Sequence, residues 1–165
     1  MKKILLFFIF ISLFACETIQ NKDNNISKIG CPATFFSSEN NVYSDGDTKS
    51  LDFEKINYKA SLNNYGFAGN CLADLENNYY FLDLLILVEP INPQNQKIDL
   101  PIFVILYDEK ENIIDRQYFR VTENINYDKK ISNYITTDII SRLDILVENN
   151  IKVSSLTIGF VNIDK

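Results

Sequence analysis

The sequence predicts an all-β sandwich, and three observations carry that reading. From Cys31 onward the chain consists of short runs rich in Val, Ile, Phe and Tyr, several of them alternating at a period of two. Clusters of Asn, Asp, Gly and Pro separate these runs at short intervals. The composition, 46% hydrophobic and 23% charged over 165 residues, is that of one domain able to bury a core.

The elements follow in order. Residues 51–62 place Ile56, Tyr58, Ala60 and Leu62 on one face of a strand. Asn63-Asn64-Tyr65-Gly66 and Gly69-Asn70 interrupt it, a short run surrounds Cys71, and Asn77-Asn78 reads as a hairpin turn. Residues 79–88 form the strongest strand. Tyr80, Leu82, Leu84, Ile86 and Val88 share one face, and Phe81, Asp83, Leu85 and Leu87 the other. Two largely apolar faces predict a central strand. Pro90 and Pro93 mark a loop, after which Pro101 opens a strand over 102–107, since proline is tolerated at a strand's first residue. Asp108-Glu109-Lys110-Glu111-Asn112 turns the chain into a partner strand over 113–121. Residues 131–147 carry Ile135, Ile139, Ile140, Leu143 and Leu146 at a spacing that fits a helical stripe. Thr136-Thr137 and the many β-branched residues argue instead for a strand, and a strand with one short helical turn is expected. Val153, Leu156, Ile158 and Phe160 make the last strand, where Gly159 permits a bulge or close packing. Six to eight such strands over residues 31–165 point to an immunoglobulin-like or fibronectin-type sandwich. The pattern of an outer-membrane barrel is not present.

The N-terminus has its own logic. Met1-Lys2-Lys3 is basic, and residues 4–15 are apolar except for Ser12. As a helix this stretch would be about 18 Å long, well short of the roughly 30 Å hydrocarbon core. Residues 1–15 are therefore expected to be a signal peptide. Leu13-Phe14-Ala15-Cys16 resembles the lipobox of bacterial lipoproteins. That resemblance implies cleavage before Cys16, a diacylglycerol on its sulfur and an acyl chain such as palmitate on its freed amine, a multi-chain anchor stable in a membrane. The alternatives are an ordinary cleaved signal with an incidental cysteine, or an uncleaved anchor. Glu17, standing where Asp would signal retention under the sorting rule of diderm bacteria, favours the outer membrane, facing the periplasm. Residues 16–30, with the polar run Gln20-Asn21-Lys22-Asp23-Asn24-Asn25, read as a lipidated cysteine followed by a flexible tether.

Charge and composition narrow the function. The formal net charge is −6, and Lys2 and Lys3 both lie in the expected signal peptide, so the remainder is near −8 by the same counting. Nucleic-acid affinity comes from Lys and Arg neutralising phosphates, so an acidic chain without a basic run is a poor candidate for it. The chain has no histidine, which removes Ser-His-Asp and Cys-His nucleophile systems and HExxH zinc sites. No P-loop or GxGxxG occurs, and no catalytic residue, metal ligand set or cofactor is expected. Beyond Cys16 the chain holds Cys31 and Cys71. In an oxidising compartment such a pair reads as a disulfide, the alternative being a metal or redox pair. Asp45-Gly46-Asp47-Thr48 has closely spaced oxygens that suggest calcium, but without a full ligand loop a solvated turn is the better reading. The 12 Phe and 9 Tyr could line a sugar- or peptide-binding face, although strand aromatics more often form core and cross-strand pairs.

With these pieces placed, the chain resembles a family of alphaproteobacterial envelope lipoproteins of unknown function. The shared features are Cys31-Pro32, Gly69-Asn70-Cys71, Pro101-Ile102-Phe103-Val104, Tyr118-Phe119-Arg120-Val121 and Gly159-Phe160, in that order. The resemblance implies a fold and an envelope location and supplies no catalytic residue. The expectation is a lipid-anchored, non-enzymatic interaction or accessory module of an envelope assembly, held to the bilayer through acylated Cys16 and meeting an envelope protein. A small-molecule or glycan binding module is the alternative, and a carboxylate hydrolase comes third.

Overall fold

A computed structural model describes residues 26–46 and 56–162. Cys16, the expected signal peptide and most of the expected tether lie outside the described residues, as do Asp47 and Thr48.

The described residues form strands β1 (Ser27–Ile29), β2 (Ala33–Phe36), β3 (Val42–Gly46), β4 (Ile56–Phe67), β5 (Cys71–Ala73) and β6 (Asn77–Pro90). They continue with β7 (Gln96–Tyr107), β8 (Ile113–Ile125), β9 (Tyr127–Asp128), β10 (Asn133–Tyr134), β11 (Asp138–Glu148) and β12 (Ser155–Phe160). The first sheet is built on β6. β11 pairs antiparallel along one side of it, while β5 and β4 share the other side, with β1 beyond β5 and β3 beyond β4. The second sheet runs β2-β12-β7-β8, with β2 parallel to β12 and the other pairs antiparallel. β9 and β10 make a small separate ribbon.

The alternation in the sequence becomes the core. Tyr58, Ala60 and Leu62 of β4, Leu82, Leu84 and Ile86 of β6, and Ile98, Leu100, Ile102, Val104 and Leu106 of β7 are buried in one cluster between the sheets. Leu143, Ile145, Leu156, Ile158 and Phe160 complete it. This is the expected all-β sandwich. Its strand order sets four strands against four along most of its length, where the immunoglobulin constant type sets four against three.

Several local expectations need correction. The helical turn expected within 131–147 is not found: there is no helix among the described residues, and β11 is an unbroken strand from Asp138. Cross-strand pairing with β6 overrides the helical spacing, because Ile139, Leu143, Ile145 and Val147 then all face the core. Pro101 sits inside β7 rather than opening it. It faces the last of the β12 flank: Val161 donates to the Pro101 carbonyl at 2.9 Å, and the ladder ends there because proline has no amide to return the bond, so the loss falls at the margin of the pairing. Asn77 and Asn78 belong to β6, and the turn before them is made by Asp74, whose Oδ1 accepts from the amides of Glu76 and Asn77 at 2.7 Å each. The tether expected up to Gly30 ends sooner, because Ser27–Ile29 pair with β5.

A bulge in β4 reverses its facing. Leu62 pairs with Ile86 and Asn64 with Leu85, leaving Asn63 extra. Even-numbered residues face the core before it, and Tyr65 and Phe67 turn inward after it. Tyr65 then reaches the second sheet, donating to the carbonyl of Thr34 at 2.8 Å and meeting Phe36 edge to face.

Two further ties join the sheets. Cys31, in the crossover from β1 to β2, is bonded to Cys71 of β5, with the Cα atoms 5.3 Å apart and 40 residues between them in sequence. The disulfide expectation is thereby met. The second tie is Tyr58. β7 runs past the end of β12, and there the Tyr58 hydroxyl accepts from the Asp99 amide at 3.1 Å and donates to the Asp99 carbonyl at 3.4 Å. Burial, opposed by that backbone contact, pushes the Tyr58 phenol up to about 12.

Two outcomes follow for stability. Replacing Cys31 and Cys71 by Ser is expected to cost about 4 kcal/mol in the chain-entropy picture, read as a lower urea midpoint. An unchanged midpoint would show that the link adds nothing. The Tyr58 phenol ionises at about 12 in the folded chain but from an ordinary 10.0 when unfolded. Its contribution is thus complete below pH 10 and is lost between pH 10 and about 12. Tyr58→Phe should cost roughly 1–3 kcal/mol at neutral pH. It should also flatten the fall in stability over that alkaline window, whereas an equally steep fall in the variant would assign the effect to other tyrosines.

Candidate functional site

The outer face of the second sheet gathers its apolar side chains towards the β7–β8 hairpin, while Lys97, Asp99, Arg120 and Asn124 lie at its other end. The strand registers stack two rows across it. One row is Phe35, Thr157, Ile105 and Arg116, and the next is Gly159, Phe103 and Tyr118. Phe35 is 58% exposed and Tyr118 68%. A third row adds Tyr107 and Ile113.

Gly159 shapes this face. A Cβ there would lie 2.5 Å from Cζ of Phe103 and 3.0 Å from Cβ of Asn40. The Phe103 ring therefore lies over the bare backbone of β12, an aromatic covering a strand glycine. This is the close packing that Gly159 was expected to allow, and it leaves an open groove of about 310 Å³. Asn40, Phe103, Ile105, Arg116, Tyr118 and Asn162 line it, with Phe160 and Val161.

The polar rim is ordered. Asn162 Nδ2 donates to Asn40 Oδ1 at 3.0 Å, and the Asn40 carbonyl accepts from the Phe160 amide at 2.7 Å. Arg116 is exposed and has no carboxylate partner among the described residues. Neighbouring Arg120 is committed, its Nε 2.8 Å from Oδ1 of Asp99. No carboxylate lines the groove. It can thus offer aromatic faces, two amides and one unpaired cation to a ligand.

The other sequence candidates fall elsewhere. Cys31 and Cys71 are joined, Cys71 buried and Cys31 at the surface, and Cys16 is not among the described residues. Asp45 lies one residue before the end of β3, where its Oδ2 accepts from Asn57 Nδ2 at 2.8 Å, so this carboxylate serves a cross-strand contact. Among the described residues no group of three or more carboxylates or cysteines is placed to hold a metal ion. The acidic run 108–111 is a hairpin tip. Asp108 accepts from the amides of Lys110 and Asn112, and hydrogen bonds from Asn112 hold its carboxyl below the usual range. Sequence reasoning weighed the aromatics collectively and singled out neither Tyr118 nor Arg116. Alternation over 113–121 gave no signal for them, because the face that holds Tyr118 also holds Arg116 and Arg120, as in a solvated strand.

Compared with protein-family models, curated proteins and solved structures, the chain has no match.

Gly159→Ala is expected to push the Phe103 ring off β12, destabilising the fold by roughly 1–3 kcal/mol and shifting the ring resonances of Phe103. Unchanged stability and resonances would mean that the ring does not depend on the glycine.

Proposed function

We propose that this chain is a lipid-anchored, non-enzymatic docking module of the bacterial envelope. Acylated Cys16 holds it at the outer membrane, facing the periplasm, and the outer face of the second sheet meets an envelope protein. The observation that carries the docking role is the array in which Phe35, Arg116 and Tyr118 are exposed around half-buried Phe103 and Ile105. Exposed aromatic side chains clustered around a groove mark interaction sites more often than scattered ones do. Tyr and Arg are also the residues that dominate binding energy at protein interfaces. The lipobox-like Leu13-Phe14-Ala15-Cys16 supports the anchor, and the resemblance to envelope lipoproteins of alphaproteobacteria supports the location. The acidic balance argues against a nucleic-acid partner.

A second reading rests on the groove itself. Aromatic faces beside the Asn40–Asn162 amide pair suit a glycan or other small ligand, bound by stacking and hydrogen bonds.

The docking test is photocross-linking in intact cells. A photoreactive residue in place of Tyr118 is expected to capture one envelope protein, and the same residue in place of the exposed Glu76 is not. Phe35→Ser with Arg116→Ala should abolish capture. Capture at neither position would turn attention to the glycan reading. The anchor has its own readout: Cys16→Ala should leave the membrane fraction, and a cleaved Cys16→Ala chain that stays there would refute the lipid anchor.

A further inference from the structure

A different surface, the free edge of β11, carries an inference about a second copy of this chain. β11 pairs with β6 through eleven consecutive positions without a register shift, from Asp138–Leu87 to Glu148–Asn77. No strand pairs with its other side among the described residues. β2 has four residues and β1 three, and β3 has a bulge at Gly46. β8, the edge of the second sheet, is as long as β11, but it carries two arginines without a facing acid at the same spacing and shifts register at its start. β11 has no proline, glycine, lysine or bulge, and it exposes Ile140 at 76% and Leu146 at 46%. A long regular edge with exposed apolar side chains is a template for pairing.

The backbone groups that face this free edge belong to the even-numbered residues. Leu146 shows it directly, because its carbonyl, on the side away from β6, accepts from Gln117 Nε2 at 2.7 Å. Pairing two copies antiparallel about a two-fold axis at Leu143 would put Arg142 opposite Asp144 of the other copy, and Ile140 opposite Leu146. Shifting the axis by one residue sets Arg142 against Arg142, or Asp144 against Asp144. Of these three neighbouring registers, the one centred on Leu143 is the self-complementary one, and it keeps the whole of β11 paired, as a two-fold interface requires.

The neighbouring strand extends the match. Across the joined sheet one row would read Leu85, Ile140, Leu146, Tyr79, entirely apolar. The next would read Asp83, Arg142, Asp144, Phe81, in which Arg142, already bonded to Asp83 at 2.8 Å, gains a second carboxylate. The end row opposes Asp138 to Glu148, an unfavourable pair at the solvated margin. The Gln117 bond does not block the pairing, because a carbonyl oxygen can accept twice.

We infer that two copies of this chain pair through β11 in this register, joining their first sheets into one continuous sheet. This leaves the outer face of the second sheet free and does not rest on the function proposed for it.

The test uses two differently tagged full-length chains purified in detergent. Wild-type copies are expected to co-purify and to dissociate on dilution. Asp144→Lys alone sets two cations together across the axis, and Arg142→Glu alone sets two carboxylates together, so each should weaken self-association by roughly tenfold or more. A mixture of the two variants restores both opposite-charge pairs and should associate about as tightly as wild type. Circular dichroism of each variant alone checks that it folds, and recovery in the mixture shows the same independently. Wild-type chains that stay monomeric, variants that associate as wild type does, or a mixture no tighter than its components would each overturn the inference. The first outcome would also be the mark of another segment of the chain covering the edge.

Discussion

The structure depends on the contact between the inner faces of β6 and β7. These strands follow one another in the chain, yet they lie in opposite sheets. Tyr80, Leu82, Leu84, Ile86 and Val88 on one strand, and Ile98, Leu100, Ile102, Val104 and Leu106 on the other, supply much of the buried core. Burial at about 25 cal/mol per Å² makes such facing rows the main stabilising force in a sandwich. β4, β5 and β11 then assemble on β6, and β8 and β12 on β7. The disulfide and the Tyr58 hydroxyl act where that apolar contact gives out, at the crossover beside β5 and on the flank of β7 beyond β12.

Much of this was legible in the sequence because a period of two fixes facing. Ile56, Tyr58, Ala60 and Leu62 are buried as the alternation requires, and β6 is central as its two apolar faces require. The cysteine pair was legible for a simpler reason: once Cys16 is set aside, two cysteines have one possible partner each. The failures have physical causes as well. Three- and four-residue strands such as β1 and β2 carry too few positions to show a period. Pro101 misled because its tolerance depends on where β12 ends, a long-range fact. Residues 131–147 misled because Ile139, Leu143 and Leu146 fit a helix as well as a strand until β6 supplies hydrogen bonds along one side.

The surface was harder to read than the core. An aromatic in an alternating strand looks the same from the sequence whether its face is covered or bare. Phe103 shows the point, for its ring is neither core nor free but lies on the backbone at Gly159. Tyr118 and Arg116 gain meaning only from the registers that bring them beside it. The edge of β11 is a similar case. Its residues alternate like those of any amphipathic strand, and the pairing of Arg142 with Asp83 depends on a partner 59 positions away in the chain.

The parallel pairing of β2 with β12 has a consequence for how the chain acquires its shape. β2 lies near the start of the described residues and β12 near their end, and β12 is the link between β2 and β7. A polypeptide emerging amino end first holds β2 without its neighbour until β12 has emerged. Closing so long a loop is slow, because its entropy must be given up before the pairing repays it. The β7–β8 hairpin can form early, but β2 finds its place in the second sheet only once residues 155–160 are there to bridge it to β7.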